Sequence, residues 1–254
     1  MYSYNRGKGK MSYRTRIYNS FITSHRERQA LYNYNKVNLA LLTKYYRKTI
    51  IDKFLPPDRN IRILDIGCGY GPFIYACIKA GYNNIIGVEG SREQVTFANK
   101  LGINGIIQAD IMQFLLKNKE QYDVITAIDV IEHFDKNELF DMLDMIYSTL
   151  IVGGLFIFQT PNGESPFFGF YRYADFSHET CFNRFSLFQV LKTIGFRDIA
   201  CYEVAPIIHG FLSGLRWVCW KVIRTIYLFI RIIESSNWKD NPIFSQNIIG
   251  KSKK

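Results

Sequence analysis

Seven residues, Asp65-Ile66-Gly67-Cys68-Gly69-Tyr70-Gly71, set three glycines at alternate positions directly behind an apolar run and a single acid. Glycine has no Cβ, so this backbone can take positive φ and pass close to a ligand. Pro72 suits the first turn of a helix. A strand, a glycine loop and a helix N-terminus together make a site for a nucleotide-type ligand. The dinucleotide fingerprint needs glycines at its first, third and sixth positions, and counting from Gly67 the sixth is Pro72, so that fingerprint fails. Three further acids, Glu89, Asp110 and Asp129, each follow a short apolar run. Beyond them stand Glu132-His133 and, downstream, His178. An imidazole can take a hydroxyl proton near neutral pH, and carboxylates suit a hard dication.

These groups need a scaffold, and the apolar spacing describes one. Strands are expected at 61–66, 85–89, 105–108, 122–128, 155–159 and 196–204, with 246–253 as a seventh. Helical stretches separate them: one from Pro72, one capped by Ser91, one over 136–150 ended by Gly153-Gly154, and one over 186–194 closed by Gly195. A further helix over 29–54 carries the stripe Leu31, Tyr34, Val37, Leu41, Tyr45 and Ile50 and stops before Pro56-Pro57. Strands alternating with helices indicate βαβ units and a parallel sheet, and right-handed crossovers place helices on both faces. Ligands of such sheets bind at the carboxyl ends of the strands, where Asp65, Glu89, Asp110 and Asp129 all fall.

The chain has 254 residues, 48% of them hydrophobic, enough for one large α/β domain with additions. Its net charge of +10 favours a polyanion, an anionic membrane surface or an acidic substrate. Cysteines at 68, 77, 181, 201 and 219 form no CxxC pair, which fits a reducing cytosol rather than a disulfide framework or zinc site. No secretory signal and no spanning helix are expected. Residues 1–28 read as a basic tail, with a nucleic-acid arm as the rival reading.

Asp65 standing two residues before the first glycine, together with Glu89, Asp110 and the turn Leu150-Ile151-Val152-Gly153-Gly154-Leu155, resembles the class I S-adenosylmethionine (SAM)-dependent methyltransferases. The resemblance covers about residues 40–204. It implies a Rossmann-like α/β fold, a mostly parallel seven-stranded sheet with helices on both faces. It implies that Asp65, Gly67, Cys68 and Gly69 pack against the methionine part of SAM. Glu89 would take the ribose hydroxyls, Asp110 the adenine amino group with Ile111 beside the ring, and Ile128 would line the methyl donor. S-adenosylhomocysteine would be the product.

Ala127-Ile128-Asp129-Val130-Ile131-Glu132-His133 is similar to the ubiquinone-biosynthesis O-methyltransferases, whose motif is Glu-x-x-Glu-His. Some small-RNA 2′-O-methyltransferases carry a like motif plus a downstream histidine and bind Mg²⁺. By that resemblance Asp129, His133 and His178 are the catalytic candidates, and Asp129, Glu132, His133 and His178 the candidate metal ligands. Asp129 is shorter than the Glu of the motif, which weighs against metal. The Asn-Pro-Pro-aromatic motif of several amine methyltransferases is absent, which leans toward an oxygen acceptor.

The stretch 161–185 is rich in Phe and Tyr, either walling the acceptor pocket or tethering a long loop. Taken as one helix, 211–233 puts Arg216, Lys221, Arg224 and Arg231 within about 140° of arc at ~100° per residue, with Leu215, Val218, Val222, Ile226, Phe229 and Ile233 opposite. It reads as an in-plane membrane helix with its basic arc near anionic headgroups, or as a cover for the domain or a dimer interface. A loose likeness to bacterial methyltransferases of surface glycans follows from this helix, Glu234 and Gln246-Asn247-Ile248-Ile249. The expected organisation is a basic tail (1–28), a methyltransferase core (29–204), an amphipathic helical insertion (205–241), and a last strand with a basic end (242–254). The expected reaction is O-methylation of a small-molecule, glycan or lipid-linked acceptor by a cytoplasmic protein, peripheral on the inner membrane face. The rivals are a metal-dependent RNA 2′-O-methyltransferase and a non-catalytic SAM-binding scaffold, with nucleic acid the disfavoured partner.

Overall fold

The computed structural model describes residues 13–20, 22, 38–236 and 241–254. In chain order the elements begin with α1 (Tyr13–Asn19) and α2 (Leu39–Tyr46), the latter running on through a π-helical turn, Arg47–Ile51, to Asp52–Phe54. Then come β1 (Ile63–Ile66), α3 (Pro72–Lys79), β2 (Ile85–Glu89), α4 (Arg92–Lys100), β3 (Ile106–Gln108), α5 (Ile111–Lys117) and β4 (Tyr122–Ile128). After a 3₁₀ turn, Ile131–His133, follow α6 (Lys136–Thr149), β5 (Leu150–Pro161), α7 (Phe168–Ala174), α8 (Arg184–Ile194), β6 (Arg197–Glu203), α9 (Phe211–Ser235) and β7 (Asn247–Lys253).

The strands form one seven-stranded sheet in the order β3-β2-β1-β4-β5-β7-β6. It is parallel except for β7, which lies antiparallel between β5 and β6. The order reverses between β1 and β4, so a crevice opens at their carboxyl ends. Apolar side chains fill both faces. Leu64, Ile66, Ile125, Phe156 and Phe158 pack with Leu143 of α6 and Leu187 and Leu191 of α8. Ile63, Val124 and Ile157 pack on the other face with Ile50, Phe73 and Ile74. At the β5–β7 pairing, Phe158 sits opposite Gly250. A Cβ built on that glycine would lie 2.0 Å from the ring's Cζ.

Local chemistry sets most helix ends. The Ser91 and Asp110 side chains accept from the backbone N–H of Gln94 and Gln113. Asp135 with Glu138, and Asn183 with Ser186, form reciprocal capping boxes. Gly195 ends α8 at φ 113°.

Three expectations change. The strand read over 155–159 is longer: β5 starts at Leu150 and passes through Gly153-Gly154 with a shift of register, Tyr122 facing Leu150 and Val124 facing Leu155. Within the basic segment 1–28, Tyr13–Asn19 is helical and tied to the domain by Arg14–Glu138 (2.5 Å) and by the Tyr13 hydroxyl to Glu179. The rest of that segment, and Leu31, Tyr34 and Val37 of the stripe read over 29–54, lie outside the described residues.

The orientation of α9 also differs from the membrane reading of its basic arc. Arg224 faces the domain, donating to Glu203 at 2.8 Å, and Tyr227 packs on Phe244 with ring centroids 5.8 Å apart. Leu215, Val218, Val222, Ile226, Phe229 and Ile233 point outward, each more than half exposed. Arg216 and Lys221 remain exposed beside that apolar stripe.

Candidate active site

The crevice at the carboxyl ends of β1 and β4 is a cavity of about 530 Å³. Its floor is the glycine loop. Gly67, Gly69 and Gly71 stand at φ 64°, 57° and 79°, a region that disfavours side chains. A Cβ on Gly67 would lie 2.5 Å from a Val130 methyl, so only glycine lets the loop pass there.

Glu89, at the end of β2, accepts from the N–H of Gly69 at 2.9 Å and of Ser91 at 2.6 Å. Each carboxylate oxygen keeps a further lone pair that a ligand hydroxyl can use. Burial raises the Glu89 pKa, and the N–H groups of Ser91, Gly69 and Gly90 oppose that rise. Asp65 is 1% exposed and accepts from the Thr126 hydroxyl on β4 at 2.6 Å. Burial pushes its pKa up to about 7, against the Thr126 hydrogen bond and with help from Glu89.

Asp65, Gly67, Cys68, Gly69, Glu89, Asp110, Ile111, Ile128, Asp129 and His133 all line this one cavity. Glu132 and His178 do not. Glu132 points the other way, 1% exposed, with Oε2 accepting from Thr160 at 3.0 Å. Its Oε1 is buried with no hydrogen-bond partner among the described residues and lies 4.0 Å from His178 Nε2. Burial and the neighbouring Asp129 push the Glu132 pKa well up.

Of the four candidate metal ligands, Glu132, His133 and His178 each offer an atom within 4.8 Å of the others. Asp129 is outside that group. It holds the left-handed φ of 55° after β4, and the Gln159 amide donates to its two oxygens at 3.2 and 3.1 Å. Gln159 is in turn fixed by the Tyr45 hydroxyl at 2.8 Å. Burial raises the Asp129 pKa to about 6.

His133 stands at the mouth of β4 with its Nδ1 2.9 Å from the Ser177 hydroxyl. Burial, then the nearby His178, lower its pKa to about 4, so the ring is neutral at pH 7. Burial lowers that of His178 as well, and its Nδ1 donates to the Arg172 carbonyl at 3.1 Å.

Sequence reasoning missed part of the wall. Tyr46 and Phe73 enter from α2 and α3, and Arg14 and Tyr18 from α1. A seven-residue helix in a basic stretch leaves almost no periodic signal. The Tyr18 and His133 ring centroids are 6.3 Å apart.

Residues 40–200 match the family described as a methyltransferase domain. The ubiquinone biosynthesis O-methyltransferase of Pelagibacter ubique is 29% identical over 121 residues, covering 43% of this chain and 47% of the relative. The probable (S)-tetrahydroprotoberberine N-methyltransferase 2 of Papaver bracteatum is 36% identical over 85 residues, covering 31% and 23%. The chain spans about half the length, or less, of these curated relatives. Among solved structures, a SAM-dependent methyltransferase from Archaeoglobus fulgidus superposes with a TM-score of 0.65 at 23% identity, covering 92% of this chain and 99% of that one. At that identity the likeness concerns the fold.

Proposed function

The chain belongs to the class I SAM-dependent methyltransferases, and on that premise we propose that it methylates a hydroxyl oxygen of a small-molecule, glycan or lipid-linked acceptor met at a membrane surface. The observation that carries the oxygen assignment is His133. It is a neutral imidazole on the same cavity as the glycine loop and Glu89. The curated relative named as an O-methyltransferase of ubiquinone biosynthesis supports the oxygen, while the relative named as an N-methyltransferase is the counterweight.

Bound SAM supplies an electrophilic methyl group on a sulfonium. The glycine loop and Glu89 would hold the nucleoside with Asp110 and Ile111 at the adenine end. Ile128 and Val130 would set the direction of approach. The acceptor oxygen bonds to the methyl carbon, the S–CH₃ pair returns to sulfur, and the acceptor proton passes to His133. Orientation supplies much of the rate in such an in-line displacement.

The outward apolar stripe of α9, flanked by Arg216 and Lys221, supports the membrane surface. Among the described residues no helix is long and apolar enough to cross a membrane. Calorimetry with SAM and S-adenosylhomocysteine tests the donor site. Transfer of labelled methyl to hydroxyl acceptors, with and without anionic vesicles, tests the rest. Transfer to amines alone would overturn the oxygen assignment, and no vesicle binding at low salt would overturn the membrane one.

One observation favours a second reading, in which a dication joins the site. The unpartnered Glu132 Oε1 beside two histidines is a donor set awaiting a positive charge. Two imidazoles and one carboxylate suit a borderline transition dication, whereas Mg²⁺ prefers all-oxygen ligands, so the Mg²⁺ expectation fits poorly. A dication at these residues is what the RNA 2′-O-methyltransferase reading would need. Titration of the chain with Mn²⁺ and with Mg²⁺, followed by calorimetry, decides it: silence with both at millimolar concentration removes this reading.

A further inference from the structure

The loop between α7 and α8 holds two polar side chains in a row behind His133. Ser177 is fully buried, and its hydroxyl stands 2.6 Å from Asp175 Oδ1 and 2.9 Å from His133 Nδ1. The backbone N–H of Ser177 also donates to the same Asp175 oxygen at 2.8 Å. An oxygen that receives two donors is acting as a carboxylate acceptor.

Proton counting then fixes the whole row. A hydroxyl has one proton, and here it points at Asp175. The Ser177 oxygen therefore meets His133 with a lone pair, and His133 Nδ1 must carry the hydrogen. Whichever ring nitrogen makes the fixed hydrogen bond decides which one is left free. We infer that Asp175 and Ser177 are positioning residues that hold His133 in its Nδ1–H tautomer, leaving the Nε2 lone pair to receive the acceptor proton.

This rests on the proposed role of His133 and adds what makes it able to act. A free histidine side chain favours the opposite tautomer, with the proton on Nε2. In that form Nε2 would offer a hydrogen where a base is needed. With the row in place, the proton leaving the acceptor oxygen lands on Nε2 while Nδ1 keeps its own. The imidazolium so formed is held through Nδ1–H to the Ser177 oxygen, with the Asp175 charge one hydroxyl further on. Its proton then returns to solvent.

His178 stands beside this row with a different tie. Its Nδ1 donates to the Arg172 carbonyl, and its ring lies 4.8 Å from that of His133, edge to face. It is not a link between His133 and Asp175.

The chain has four histidines, so ring ¹⁵N spectra are sparse. The test is a long-range ¹H–¹⁵N correlation of the full chain labelled in its imidazoles at neutral pH. A chelator keeps bound metal from setting the tautomer. His133→Gln and His178→Gln assign the signals. The expected result is the Nδ1–H pattern for His133, moving toward Nε2–H in Ser177→Ala. With SAM affinity kept, kcat of Ser177→Ala falls roughly tenfold or more, short of the ~100-fold or greater loss of a whole general base because the imidazole itself stays in place. A wild-type His133 in the Nε2–H form overturns the inference, and so does a tautomer unmoved in folded Ser177→Ala. If Ser177→Ala does not fold, the wild-type spectrum decides alone. An Nδ1–H ring in a chain that transfers no methyl to any hydroxyl would count against the proposed function and leave this inference standing.

Discussion

Replacing Asp65 by Asn should change how stability depends on pH, by an amount the structure sets. Asp65 is fully buried, and its pKa is raised from 3.8 to about 7, mostly by burial. In the unfolded chain the group ionises near its ordinary value. Between those two values the folded state holds a proton that the unfolded state has released. The proton stabilises the fold at low pH, and that stability is lost as pH rises through about 7. Three pH units at about 1.4 kcal/mol each make about 4 kcal/mol in all, of which a scan from pH 5 to pH 8 covers about 2 to 3 kcal/mol. Asn has the same shape, accepts from Thr126 in the same way and does not titrate. Urea unfolding of both proteins at pH 5, 6, 7 and 8, at fixed ionic strength, isolates the effect. Glu89, Asp129 and Glu132, also raised by burial, and His133, lowered by it, are present in both and cancel to first order. The wild type should be the less favoured of the pair at pH 8 by that margin relative to pH 5. A difference between the two proteins that stays flat across the scan would show that Asp65 ionises normally, and the burial argument would fail.

Glu89→Ala should weaken SAM binding roughly 100-fold or more, because two hydrogen bonds to a charged acceptor are lost and the Gly69 and Ser91 N–H groups lose theirs; calorimetry reads it, and unchanged affinity would remove Glu89 from the donor site. Gly250→Ala should cost about 3 kcal/mol in urea unfolding, since its Cβ would meet the Phe158 ring at 2.0 Å. Phe158→Leu placed in the same chain should recover part of that loss, and no recovery would mean the clash lies elsewhere. Val222→Glu with Ile226→Glu should abolish co-sedimentation with anionic vesicles and leave Tm and SAM affinity alone, since both side chains are more than half exposed. A fall of several degrees in Tm would mean that this face is packed in solution.

Where function depended on residues close in the chain, the sequence was legible. The glycine loop, the Ser91 cap, the Gly195 stop and the acids closing β1, β2 and β4 are local devices, and each could be read before any fold was known. The start of β5 was not, because Gly153-Gly154 signals a break unless β4 is seen paired beside it. The wall supplied by Arg14 and Tyr18 was hidden by the shortness of α1. The row behind His133 was hidden for a different reason. Ser177 is 44 residues away in sequence, and no spacing rule joins a serine in one loop to an imidazole in another.

The helix α9 draws the boundary most sharply. Its periodicity correctly groups Leu215, Val222, Ile226 and Phe229 on one side and Arg216, Lys221, Arg224 and Arg231 on the other. Periodicity says which residues share a face; it says nothing of which face meets the rest of the protein. The usual assumption turns the apolar face inward, and here that assumption is wrong. The deciding groups lie outside the helix. Glu203 at the end of β6 takes the Arg224 guanidinium at 2.8 Å and also accepts from the Phe244 N–H at 2.9 Å, while Phe244 packs on Tyr227. This carboxylate, together with Asn241 Oδ1, which accepts from Arg224 at 2.7 Å, anchors the polar side of the helix and commits the opposite side to the exterior. Glu203→Ala would leave the Phe244 N–H without its acceptor and the Arg224 guanidinium with only Asn241 Oδ1 at 2.7 Å and the Pro242 carbonyl at 3.4 Å, at about 1 to 3 kcal/mol for a largely buried charged pair. The consequence for the helix should exceed that figure. With the charged part of its anchor gone, α9 is freer to roll its apolar stripe toward the domain, so vesicle binding should fall although no residue of the stripe has been changed. Vesicle binding that survives Glu203→Ala intact would mean that something other than this carboxylate sets the roll of the helix.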